Sequence, residues 1–122
     1  MRVSLFMTAI AAVWLAYGTG FALIPAAIWS LYGVDLDAAG LLMARFLAAS
    51  SLGLAAVSWL ERQAEVETVR NVNVALLITS AGAIVASLMG LLSGVMGPLG
   101  WANVGLLLLM GVGHGYFALT AR

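Results

Sequence analysis

The chain has 122 residues, of which 64% are hydrophobic and 8% charged, with five arginines against five acids, no lysine and no cysteine. A soluble domain carries about a quarter charged residues because its surface faces water; this composition cannot cover such a surface, and the length allows one domain. Zero net charge excludes a basic footprint for nucleic acid, and the missing cysteines exclude disulfide scaffolds, thiol redox chemistry and thiolate metal sites. An integral membrane protein is expected, with the lipid bilayer as its first partner.

A helix crossing the roughly 30 Å hydrocarbon layer needs about 20 apolar residues. Residues 3–24 carry no charge and are closed by Pro25, which cannot donate to a continuing helix; they form the first expected span. Cleavage as a signal peptide is disfavoured, because this apolar stretch exceeds an ordinary h-region and no polar mature chain follows. Residues 25–34, with Trp29 and Tyr32, are too short to span and are expected to lie along the headgroup layer as an amphipathic turn or helix. Asp37 is the expected N-cap of a second span over 38–60, ended by Glu61-Arg62-Gln63. A third span over 69–92 and a fourth over 101–120 are separated by residues 93–100, where glycines and Pro98 break helical continuity. The expected architecture is an all-α, integral membrane bundle of four transmembrane helices in a single membrane domain, 1–122, with a short interfacial segment between the first two spans.

Charge placement supports the count, since short cytoplasmic segments carry an excess of basic residues. With four spans, Arg2, Arg62, Arg70 and Arg122 all fall at one membrane face, and the opposite face carries Asp35 and Asp37 and no basic residue. Three or five spans would scatter the arginines. Both termini are therefore expected in the cytoplasm. Trp29, Tyr32 and Trp101 then cluster at the outer interface and Trp59 at the inner one. Glu61, Glu65 and Glu67 with Arg62 and Arg70 read as a solvated inner loop, in which Arg62–Glu65 and Glu67–Arg70 pairs contribute a few tenths of a kcal/mol at most.

Transmembrane helices associate through close backbone approach, so small residues mark contacts. Ala12, Ala16 and Gly20 share a face of the first helix, as do Gly82, Ala86, Gly90 and Gly94 on the third; Ala49 with Gly53, and Gly111 with Gly115, serve the others. These seams serve either an intramolecular bundle or a partner, another copy included. In Gly111-Val-Gly-His-Gly-Tyr-Phe117 the glycines make room beside His114 for a neighbouring helix or for a flat ring such as a quinone or pigment; with no preceding strand they are not a dinucleotide fingerprint.

Two ionisable residues inside spans are the functional candidates. Arg45 lies about 12 Å along the second helix from Asp37, at a cost near 2.5 to 3.5 kcal/mol if it sits centrally. It either snorkels to the outer phosphates, or to Tyr17, Ser87 or Asn103 at similar depth, or holds an anion, carboxylate or lipid headgroup. His114 lies at the depth of Asn71 and Asn73, where a His–Asn hydrogen bond would satisfy it. The other role is a haem or chlorin ligand, for which a lone histidine would need a partner such as Met7. Asp35 and Asp37 read as caps and no metal site is expected. No carboxylate lies within a span, which disfavours proton-coupled export, and no nucleophile–base set is present, so no enzyme activity is expected. Ser80, Ser87, Asn103 and Thr79 are too spread in depth to line a pore.

Residues 31–60, LYGVDLDAAGLLMARFLAASSLGLAAVSWL, and 90–119, GLLSGVMGPLGWANVGLLLLMGVGHGYFAL, resemble a group of small bacterial inner-membrane proteins with four predicted spans. The likeness covers nearly the whole chain, including the Leu-Asp-Ala-Ala-Gly helix start at 36–40 and an arginine matching Arg45. The resemblance implies the architecture and a bacterial inner-membrane location, and no chemistry, since most members have no assigned activity. Two functions are carried forward. One is a noncatalytic accessory subunit packing within a larger membrane complex, such as a respiratory or photosynthetic one. The other is a carrier or binding protein for a lipid, quinone or pigment, using Arg45 and the region of His114.

Overall fold

In hydrocarbon every backbone polar group must be satisfied within the chain, and helices do this segment by segment. The computed structural model describes residues 3–121; Arg2 and Arg122, and with them half of the arginine argument, lie outside the described residues. Five helices are present and no strand among those residues: α1 (Val3–Leu23), α2 (Pro25–Leu31), α3 (Ala38–Glu61), α4 (Val66–Leu92) and α5 (Gly100–Thr120). Four of them, α1, α3, α4 and α5, are long and apolar enough to cross a membrane. Large side chains such as Leu109, Val112 and Leu119 are 71 to 87% exposed, which suits lipid and not water.

The boundaries have local causes. Pro25 opens α2 at its first turn, where its missing N–H costs nothing. Asp37 caps α3, its Oδ1 accepting from the Gly40 N–H at 2.7 Å. α4 ends where Gly94 adopts φ +74°, a conformation open to glycine. The start of α4 departs furthest from expectation, at Val66 instead of residue 69, the other span ends agreeing within one residue. A four-residue connection from Arg62 to Glu65 is enough, and Glu67 falls in the first turn, where the helix dipole favours an acid.

The chain divides into two compact units, Met1–Arg62 and Gln63–Arg122. In the first, α1 and α3 form an antiparallel hairpin, and α2 packs on both. The buried residues of α3 are Ala44, Ala48, Ser51, Ala55 and Ser58, at the alternating three and four spacing of a coiled-coil seam. Those of α1 include Met7, Ile10, Trp14 and Phe21. Bulky side chains of α1 thus lie against an Ala/Ser strip of α3, an arrangement that brings the backbones close. Closest is Gly18, where a Cβ would stand 2.7 Å from Leu52 Cγ and 3.0 Å from its backbone nitrogen. Phe21 stacks on Trp29 of α2, with centroids 5.6 Å apart, and Gly20 leaves room for Ile28.

In the second unit α4 packs on α5. Val69, Asn73, Leu76, Ser80 and Ser87 meet Gly100, Val104, Leu107, Gly111, His114 and Phe117, again with heptad spacing. Gly111 and Gly115 face Ser80 and Leu77 of α4. Gly90 makes room for Met96 in the following turn. Gly53 and Gly82, expected at helix contacts, lie off the seams of their own hairpins, are exposed and have open space where a Cβ would be. Ala12, Ala16, Ala49 and Ala86 are exposed as well. The four-residue pattern that marked them ignores the large residues that share the buried faces.

Two glycine variants separate seam from outer face. Gly18→Ala should lower the stability of the first hairpin by about 1 to 3 kcal/mol, the range for overpacking, whereas Gly53→Ala should raise helix stability by up to about 1 kcal/mol. Reversible unfolding in mixed micelles, followed by circular dichroism, checks both. Equal effects would contradict the seam described.

Candidate functional site

Ser51, Ser58 and Glu61 are buried on α3, and the other buried polar residues, Asn73, Ser80, Ser87 and His114, lie in the second unit. Asn73, Ser80 and Ser87 recur every seven residues on α4 and are all buried, so each meets α5. Asn73 is 0% exposed and His114 is 0% exposed. The Asn73 Nδ2 donates to the Val69 carbonyl at 2.8 Å, which turns its Oδ1 toward α5, 2.9 Å from His114 Nδ1. An amide oxygen can only accept, so the His114 Nδ1–H donates and the tautomer is set by this bond. Nearer the other end, Asn103 Nδ2 donates to Ser87 Oγ at 3.1 Å. The pairing of His114 with an asparagine across the helices is therefore made by Asn73, while Asn71 faces outward.

This geometry bears on the ring-binding reading. The imidazole is enclosed, and the flanking Gly111 and Gly115 admit α4, the Gly111 Cβ position lying 3.5 Å from Ser80 Cβ. His114 is fully buried at the contact of α4 with α5. The line as a whole acts as a ladder that ties α4 to α5 and sets their register. Between the two bonds Ser80 is buried opposite Gly111 with no hydrogen-bond partner for its hydroxyl; the seven-residue recurrence of polar residues in an apolar helix was the available signal for this line.

Arg45 stands on α3 next to the seam residue Ala44 and is exposed. Its Cβ leans toward the helix N-terminus, the end marked by Asp37. Asn103 and Ser87, two of its proposed partners, bond to each other. Tyr17, the third, belongs to a chain of aromatic contacts along α1, 6.3 Å from Trp14 and 5.5 Å from Phe21 between ring centroids. Arg45 is thus presented outward by its own helix, well inside α3, whereas Arg70 is exposed in the first turns of α4.

The connection between α3 and α4 differs from a simple solvated loop. Glu61 is 3% exposed: three residues after Ser58 it continues the seam and turns toward α1. A carboxylate therefore does sit at the end of a span. Arg62 is not extended toward Glu65; its guanidinium carbon lies 3.2 Å from the centre of the Trp59 ring, and its Nε donates to the Trp59 carbonyl at 2.8 Å.

Among the described residues no group of three or more His, Cys, Asp or Glu is placed to hold a metal ion. The chain matches no protein-family model, no curated protein and no solved structure.

Interhelical hydrogen bonds in bilayers average about 0.6 kcal/mol and reach about 1.7. A double-mutant cycle of Asn73→Ala and His114→Ala should give a coupling energy in that range, measured by the same micelle unfolding. Zero coupling would remove the Asn73–His114 bond from what ties α4 to α5. Arg45→Leu, by contrast, should leave the stability of the hairpin unchanged within about 0.5 kcal/mol, as for surface substitutions in general; a larger loss would place Arg45 in the packing.

Proposed function

We propose that the protein is a noncatalytic accessory subunit that packs through its outer helix faces within a larger membrane protein complex of a bacterial inner membrane. One observation carries this reading. Gly53 on α3, Gly82 on α4 and Gly105 on α5 are all exposed in mid-helix, with open space at the Cβ position. At 100° per residue each lies roughly opposite the buried seam of its own helix. Glycine in a helix interior costs about 0.5 to 1 kcal/mol relative to alanine, and the hairpins gain nothing from it. Small residues on a lipid-facing helix admit another helix.

The directions matter as much as the residues. In a two-helix hairpin the backs of the helices point opposite ways, so a single neighbour cannot cover both Gly82 and Gly105. Each face is open to a neighbouring membrane subunit, as in a respiratory or photosynthetic assembly.

Orientation follows from charge. Arg62 and Arg70 lie at the α3–α4 end, and Asp35 and Asp37, with no arginine, at the α2–α3 end. With Arg2 and Arg122 added from the sequence, the positive-inside rule supports cytoplasmic termini.

Purification from native membranes in gentle detergent, with mass spectrometry of what remains bound, tests the proposal. A stoichiometric membrane protein is expected, released by Gly82→Leu or Gly105→Leu while helical content is retained. A chain that migrates alone, or only with copies of itself, would overturn the accessory role.

A further inference from the structure

The inner end of the first hairpin carries a feature that packing against a protein does not require. Between α1 and α3 an open, largely apolar groove of about 360 Å³ runs along the helices. It exists because Ala11 and Ala12 on α1 face Ala55 and Ala56 on α3, and four methyl groups leave the space that larger side chains would fill. Leu15 and Leu52 close it toward the middle of the membrane, and Trp59 with Thr8 stands at its other end. From Trp59 to Leu52 is seven residues, about 10.5 Å of helix, against a hydrocarbon leaflet of roughly 15 Å. The groove thus begins at the interface and spans much of one leaflet.

The tryptophan at that end holds a cation beside the groove. Arg62, immediately after α3, has its guanidinium carbon over the Trp59 indole that walls the groove, 3.2 Å from the ring centre, and is held there by the bond from Nε to the Trp59 carbonyl. These two contacts use the face and one donor of the guanidinium; the two terminal nitrogens keep the planar fork that suits phosphate oxygens. Tryptophan at a helix end is itself an interfacial residue.

We propose that this groove binds one anionic phospholipid of the leaflet at the α3 C-terminal end, its phosphate on Arg62 and an acyl chain along the alanine floor. Charge complementarity selects the lipid class, and the length and apolarity of the groove select a chain over a free anion. The site involves neither Arg45 nor His114 and stands apart from the outer glycine faces, so it does not rest on the accessory reading.

The test uses the full chain in phosphatidylcholine vesicles with a fixed content of phosphatidylglycerol. Bromine is carried on the acyl chains of one lipid or the other, so that surface charge stays constant. The Trp59 signal is taken as the emission lost in Trp59→Phe. Brominated phosphatidylglycerol should quench it more than brominated phosphatidylcholine. Arg62→Gln should reduce that preference about fivefold, the effect of one basic side chain near an anionic surface. Ala56→Phe, on an exposed position that leaves Arg62 in place, should fill the groove and lower quenching by both lipids. Circular dichroism verifies helix content in each variant. Equal quenching by the two lipids, or a preference that survives Arg62→Gln, overturns the proposal. Quenching indifferent to Ala56→Phe also overturns it, and would mean a helix of another protein or a second copy lies there. Competition by inorganic phosphate would assign Arg62 to a soluble anion, against the lipid.

Discussion

A side chain gains almost nothing by leaving lipid for the interior of a membrane protein, because both are equally apolar. The two hairpins must therefore be held by what hydrocarbon cannot supply: close approach of backbones and hydrogen bonds between buried polar groups. The hairpins meet this constraint differently. In α1 and α3, bulky Met7, Ile10, Trp14 and Phe21 fill space against a strip of alanine and serine, and Gly18 brings the backbones nearest. In α4 and α5, the Asn73–His114 and Ser87–Asn103 bonds provide direction, so a slip along the seam would leave polar groups facing methyl groups.

The polar ladder explains why the two residue types that first suggest chemistry have unequal standing. His114 is consumed by structure: fully buried, tautomer set by an asparagine that is itself held by a backbone carbonyl. The arginines are not. Arg45 is presented outward on α3, and Arg62 is laid on Trp59 beside an open groove. In a chain with so few charges, exposed cations are the side chains with polar groups left facing outward.

Several features were legible in the chain because they depend on neighbours in sequence. Charge-free length located the spans, Asp37 located a helix start, and Pro25 and the glycines after Leu92 located breaks. The His114–Asn contact was legible too, since depth could be counted from both ends of two adjacent spans. Other features were hidden by the rules used to look for them. Small residues at four-residue spacing include Gly53 and Gly82, which face away from their hairpins, and leave out Gly18, where α1 comes nearest the backbone of α3. Glu61 looked solvated because its neighbours are polar, but its position relative to Ser58 turns it inward.

What the sequence determines by itself is thus a membrane-spanning, all-α protein with four long apolar helices, because bilayer thickness and backbone satisfaction act on each segment alone. Which face of each helix meets another was decided only in the tertiary structure. Every helix here offers small residues on more than one side, and periodicity does not rank those faces. Fit against the large side chains of the facing helix does, and that is a property of two segments at once. The Ala/Ser strip of α3, the ladder of α4 and α5, and the groove under Arg62 all arise at that level.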